Sequence, residues 1–188
     1  MQRLCRILFR LVGWRTEGVV PAERRFVLIA APHTSNWDAV VMLLAARIFQ
    51  LDLAWFIKES WFFFPLGSLL RALGAVPIDR SARHGVVDRA IERFAASKEL
   101  ILAVPPEGTR KRAPTWKTGF YHIAHGAHVP IVLGYLDYGR KVAGLGPAFT
   151  PTGNLHADFE VFRAFYSNVT ARFPAKVGPV AAPKSLDA

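Results

Sequence analysis

Five short apolar runs, each closed off by proline, glycine or charge, alternate along this chain with segments of helical length. That alternation constrains the fold more than any other feature. Residues 26–31 (Phe26, Val27, Leu28, Ile29, Ala30, Ala31) are apolar without a break and stop at Pro32. A continuous run of this length reads as a strand covered on both faces. Residues 53–57, 74–78, 100–104 and 129–135 repeat the pattern, the fourth run ending at Pro105 and Pro106. Residues 141–146, bounded by Gly139 and Gly146, form a candidate sixth strand. Between them, residues 36–49 read as a helix apolar nearly all round and therefore internal. Residues 60–73 read as a loop and helix carrying the aromatic run Trp61, Phe62, Phe63, Phe64. Residues 85–98 are amphipathic, with Val87, Ala90, Ile91 and Phe94 inward and Arg89, Glu92 and Arg93 outward. Residues 119–126 and 155–173 supply two further helices. The pattern predicts an α/β fold with a mostly parallel central sheet flanked by helices on both faces. In such a sheet, sites gather at the carboxyl ends of the strands.

A length of 188 residues suits a single domain with a sizeable core. The expected division is a basic amphipathic N-terminal helix in 1–20, the folded domain in 21–173, and a flexible tail rich in Ala, Pro and Gly in 174–188. The hydrophobic fraction is 52%, yet no stretch reaches the run of about eighteen apolar residues that a spanning helix needs. Arg3, Arg6 and Arg10 interrupt the apolar N-terminus, so no continuous core of a secretory signal forms. On a helix those arginines share one stripe, while Leu4, Ile7, Leu8 and Leu11 fall on another face. Two readings stay open: a helix lying in a lipid headgroup layer, or a first helix docked on its own domain.

The formal charge of +10 implies an acidic partner, because such a field concentrates anions. Nucleic acid, an anionic membrane surface, phosphorylated substrates and an acidic carrier protein all satisfy charge alone. The single cysteine, Cys5, excludes an internal disulfide and fits a reducing compartment. There is no Cys/His cluster with metal-ligand spacing, so no metal is expected, and no nucleic-acid-binding module is recognisable.

The chemistry-bearing residues stand at strand exits. His33 follows the first run, with Asp38 five residues on. Along one helix that spacing would put them about 140° apart. They meet only if His33 sits at the strand end and the chain turns back into the helix that carries Asp38. The carboxylate would then fix the imidazole's tautomer and leave the other nitrogen as a base. The structural alternative is a capping box, with Ser35 at the N-cap and Asp38 closing it. After the fourth run come Pro106, Glu107, Gly108, Thr109 and Arg110. Gly108 permits a positive φ, Thr109 offers a hydroxyl, and Arg110 can hold a phosphate bidentately; the alternative is a charged surface turn. Arg80, after the third run, and Lys58, after the second, are further cationic candidates.

Together these blocks resemble the glycerolipid acyltransferase family, whose best-known members are the lysophosphatidic acid acyltransferases. The resemblance covers about residues 26–135, in order. His33 and Asp38 match the family's His-x4-Asp block. Lys58, Pro65 and Gly67 look like the second block, closed by Ile78, Asp79 and Arg80. Pro106 to Arg110 match the third block, and Val129, Pro130, Ile131 and Val132 the fourth. Pro32 stands where the family often has asparagine, and Pro105 where an aromatic residue is usual. The resemblance implies a single acyltransferase domain moving a fatty acyl group from a thioester to a hydroxyl of a lysophospholipid-like acceptor. It implies His33 as general base and Asp38 as its support. Arg80 and Arg110 would hold the acceptor phosphate in a pocket shaped by Glu107, Gly108 and Thr109, with Lys58 in the acceptor or donor site. No permanently bound cofactor is implied; acyl-CoA or an acidic acyl-carrier protein would be the co-substrate. The expected location is cytoplasmic, peripheral on the inner face of the cell membrane. A non-catalytic binder of anionic lipid, and a lipid hydrolase or transacylase, are the rival functions.

Overall fold

The apolar runs fold into one sheet. The computed structural model describes residues 2–78 and 83–183. In chain order the elements are α1 (Gln2–Leu11), β1 (Arg15–Glu17), β2 (Arg25–Ala31), α2 (Asn36–Phe49), β3 (Leu53–Lys58), α3 (Leu66–Ala72), β4 (Ala75–Ile78), α4 (Arg83–Ala96), β5 (Leu100–Val104), α5 (Gly119–Gly126), β6 (Ile131–Asp137), β7 (Val142–Phe149) and α6 (Leu155–Tyr166). Short 3-10 turns occupy Glu59–Trp61 and Pro174–Lys176. The sheet order is β1-β7-β6-β2-β5-β3-β4. The five strands predicted from continuous apolar runs, β2 to β6, are mutually parallel. β7 reverses against β6, and β1 pairs parallel with β7 at the edge.

Alternate side chains of the central strands go to opposite faces. On one face Phe26, Leu28, Leu53, Ile101 and Val132 pack with Ala46, Met42 and Phe49 of α2. On the other, Val27, Ile29, Leu102 and Ile131 pack with Phe94 of α4, Phe120 of α5 and Phe159 and Phe162 of α6. Those four phenylalanines are essentially solvent-free, and burial of each contributes roughly 1.5–3 kcal/mol. α1 lies on α2, burying Phe9 and Trp14 against Ala45 and Ile48.

Four expectations change in detail. The stretch 1–20 is not one helix: α1 ends at Leu11, Gly13 takes a φ of +77°, and the chain turns into β1. The helix α2 is not internal all round, since Trp37 and Val40 remain exposed and part of its inner side borders a cavity. The last helix stops at Tyr166 instead of reaching residue 173. Beyond it, β-branched Val169 and Thr170 favour helix poorly, and tertiary bonds replace helical ones: Tyr138 N–H donates to the Thr170 carbonyl, and Phe173 N–H to the Thr34 hydroxyl. The described part of the tail is tied down. Trp116 N–H donates to the Ala181 carbonyl, Arg112 and Arg163 donate to the carbonyls of Val177 and Val180, and Val180 and Ala182 pack on the core. Gly178 makes this possible, because a Cβ there would overlap the Ala113 carbonyl. Small, polar-poor residues let this segment lie flat on the domain.

Candidate active site

His33 and the block at residues 106–110 come together because β2 and β5 are neighbours in register, Ile29 opposite Val104. Pro32 and the pair Pro105, Pro106 end both strands at the same rim, since proline cannot continue the ladder. Four residues past Ile29 and three past Val104, the Glu107 carboxylate accepts the main-chain N–H of His33 at 3.0 Å.

From His33 the chain turns into α2 through a complete capping box. The Ser35 hydroxyl accepts the Trp37 N–H, and Asp38 reaches back to the N–H of Ser35. The same carboxylate oxygen, Oδ2, accepts from Thr34 N–H at 2.7 Å and lies 3.5 Å from His33 Nδ1. Capping box and His–Asp pair were alternatives in the sequence; in the structure one aspartate serves both. At 3.5 Å the His33–Asp38 contact is a long hydrogen bond. Nδ1 is the ring nitrogen turned to Asp38, and Nε2 the one turned away from it.

Their surroundings shift the two carboxylates in opposite directions. Burial pushes Asp38 up, but bonds from His33, Tyr138, Ser35 and Thr34 outweigh it and hold the group below the ordinary carboxylate value. Burial pushes Glu107 up, and the His33 N–H only partly opposes it. Among the described residues, Glu107 Oε2 is buried with no hydrogen-bond partner.

A cavity of about 770 Å³ opens beside His33. It runs between α2 and the sheet, lined by Leu28, Met42, Ala46, Phe49, Leu53 and Leu145, and reaches Leu51 near the start of β3. Its polar border holds His33, Asp38, Lys58, Gly108, Thr109 and Arg110. Gly108 takes a φ of +62°, and a Cβ there would meet the Lys117 side chain. Glu107 is 9% exposed and is not part of the cavity wall. Its carboxylate holds the loop of His33 by accepting that main-chain N–H. Arg80, the other expected phosphate ligand, lies outside the described residues. Sequence reasoning missed Tyr138, whose hydroxyl donates to Asp38 Oδ1 at 2.7 Å; a hundred positions separate the two, and no local pattern marks the pairing. Among the described residues no three His, Cys, Asp or Glu side chains gather as a metal site.

A family model described as Acyltransferase matches residues 14–133. The chain belongs to the Acyltransferase family. This acyltransferase-family chain is similar to the 1-acyl-sn-glycerol-3-phosphate acyltransferase of Escherichia coli (strain K12), 33% identical over 109 residues, which is 54% of this chain and 43% of that protein. It is 31% identical over 132 residues to the protein of that name from Salmonella typhimurium, covering 65% of this chain and 52% of the relative. A relative of the same name, from Limnanthes douglasii, is 32% identical over 124 residues, 63% of this chain and 43% of the relative. The chain thus spans about half the length of the curated relatives it matches. Its fold is similar to the crystal structure of the 1-acyl-sn-glycerophosphate (LPA) acyltransferase PlsC from Thermotoga maritima, with a TM-score of 0.64 and 20% identity, covering 92% of this chain and 79% of that one.

Proposed function

We propose that this acyltransferase-family chain moves a fatty acyl group from a thioester donor to the free hydroxyl of a lysophosphatidic-acid-like acceptor. The observation that carries the reading is the placement of the His33–Asp38 pair where an apolar cavity meets a cationic rim. A lysophospholipid presents the same three parts: a hydrocarbon chain, a hydroxyl and a phosphate. The names of the relatives agree with that acceptor.

In the proposed reaction His33 Nε2 takes the proton of the acceptor hydroxyl as its oxygen attacks the thioester carbonyl. The tetrahedral intermediate collapses, the carbon–sulfur bond breaks, and the imidazolium returns the proton to the leaving thiolate. Asp38 keeps Nδ1 protonated and offsets the positive charge that develops on the ring. Arg110 holds the acceptor phosphate, with Thr109 and Gly108 beside it and Lys58 at the donor or acceptor edge; Arg80 is assigned the same phosphate by its place in the sequence. The donor is acyl-CoA or an acidic acyl-carrier protein, and no permanently bound cofactor takes part.

The same reading places the protein on the inner face of the cell membrane, against anionic lipid. α1 is docked through Cys5 and Phe9, yet Leu4, Ile7, Leu8, Leu11 and Val12 are each 44–77% exposed beside Arg3, Arg6 and Arg10. α1 is thus docked on one side, and the exposed apolar side chains on its open side would suit a lipid headgroup layer. No helix among the described residues is long and apolar enough to cross a membrane.

The test is to incubate purified protein with acyl-CoA or acyl-carrier protein and a panel of lysolipids, and to identify products by mass. A diacyl phosphate product that disappears in His33→Ala supports the reading. Free fatty acid without acceptor points to a hydrolase, and lipid binding without product points to a non-catalytic binder; either result overturns it.

A further inference from the structure

We propose that Tyr138 is a positioning residue for the His33–Asp38 pair, setting the plane of the Asp38 carboxylate so that Oδ2 faces the histidine. The inference rests on the reading of His33 as the base. Oδ2 is fixed by the N–H groups of Thr34 and Ser35, at 2.7 and 2.8 Å. Rotation of an aspartate carboxyl about its last torsion is soft, so one anchored oxygen does not fix the plane. The other oxygen, Oδ1, accepts the Tyr138 hydroxyl at 2.7 Å. With both oxygens held, the direction from Oδ2 to His33 Nδ1 is determined.

The tyrosine is itself built to stay in place. It sits in the turn between β6 and β7, where buried Asp137 accepts the N–H and the Nε of Arg140 at 3.1 and 2.7 Å. Its own N–H donates to the Thr170 carbonyl at 2.8 Å. Its ring stands edge-on to Trp14 at 4.9 Å, and the Arg172 guanidinium lies 5.7 Å from the ring centre. The same 170–173 segment holds the His33 loop through the Phe173 N–H to the Thr34 hydroxyl at 3.3 Å. Trp14 and the 170–173 segment thus hold Tyr138 in place, and its hydroxyl reaches Asp38 from a hundred positions away.

Tyr138→Phe keeps the ring and its packing and removes one donor to a charged acceptor. We expect kcat for acyl transfer to fall roughly ten- to a hundredfold, in keeping with the strength of hydrogen bonds to charged groups, with the KM for acceptor and donor within about twofold of wild type. The second readout needs no turnover. The 15N shifts of the His33 ring, assigned by their absence from His33→Ala, should show an Nδ1–H imidazole in wild type and a tautomer mixture in Tyr138→Phe. An unchanged ring spectrum, or an unchanged kcat, overturns the proposal. So does a fall in activity that only tracks loss of folded protein. A wild-type protein that transfers no acyl group to any lysolipid overturns the functional reading instead, and the ring spectrum then decides the positioning role by itself.

Discussion

The main-chain N–H of His33 donates to Oε1 of Glu107 at 3.0 Å, across 74 positions of sequence. The bond joins the ends of two neighbouring parallel strands and makes one loop the support of the other. It also places behind the histidine a buried carboxylate whose other oxygen has no hydrogen-bond partner among the described residues.

Glu107→Gln should therefore remove a buried ionisable group while keeping the acceptor for the His33 N–H. Folding raises the carboxyl's proton affinity, so between its ordinary value near 4.5 and its raised folded value the native state holds more protons than the unfolded one. Stability attributable to this group is present at low pH and is lost as pH rises through that window. The glutamine variant should show a flatter thermal midpoint against pH, and should equal or exceed wild type at neutral pH. Melting curves followed by circular dichroism from pH 4.5 to 8 check this; a wild-type midpoint that rises steadily over that range would contradict it.

Asp38 carries the opposite sign. Its folded value is depressed, so its contribution is fully present above the ordinary value of 3.8 and is lost as pH falls through the folded one. Asp38→Asn should lower kcat by roughly two to four orders of magnitude, because the imidazole loses the carboxylate that selects its tautomer. It should also destabilise the fold by about 1 kcal/mol through the weakened capping box. Turnover and denaturant titrations on the same preparation separate the two effects.

Arg110 lines the cavity border and is exposed. Arg110→Ala should raise the KM for a phosphorylated acceptor by about tenfold or more while changing kcat much less, the pattern for a group that binds ground and transition states alike. An acceptor without the phosphate should show no difference between wild type and variant. Steady-state kinetics with the two acceptors decide the point.

Leu8 and Leu11 point away from the domain on α1. The double change Leu8→Ser, Leu11→Ser should leave the melting temperature within a few degrees of wild type and sharply reduce co-flotation with vesicles containing anionic lipid. Undiminished flotation would assign membrane contact to another surface, or to the net charge alone.

How much of this was legible before folding is clearest strand by strand. Runs such as residues 26–31 and 100–104 are apolar on both faces, which only a doubly covered parallel strand requires, so the class of fold and the rim that bears the site could be read directly. β1 could not: three residues, Arg15, Thr16 and Glu17, carry no periodicity and become a strand only because β7 offers an unpaired edge. The end of α6 was misplaced for a related reason. Residues 167–173 have enough apolar character to extend a helix, and only the hydrogen bonds to Tyr138 and Thr34 draw them off it.

At the site the division is similar. That an imidazole, a carboxylate and a guanidinium stand at strand exits is written in the local sequence, because prolines and glycines end the strands where those residues begin. So is the capping box, whose partners lie within three residues of each other. Tertiary structure alone decided that Glu107 backs His33 instead of facing solvent, that Asp38 serves helix and histidine together, and that Tyr138 holds Asp38 from a hundred positions away. Local chain geometry governs which groups reach the rim. Strand order and register govern which of them touch, and no short stretch of sequence encodes those.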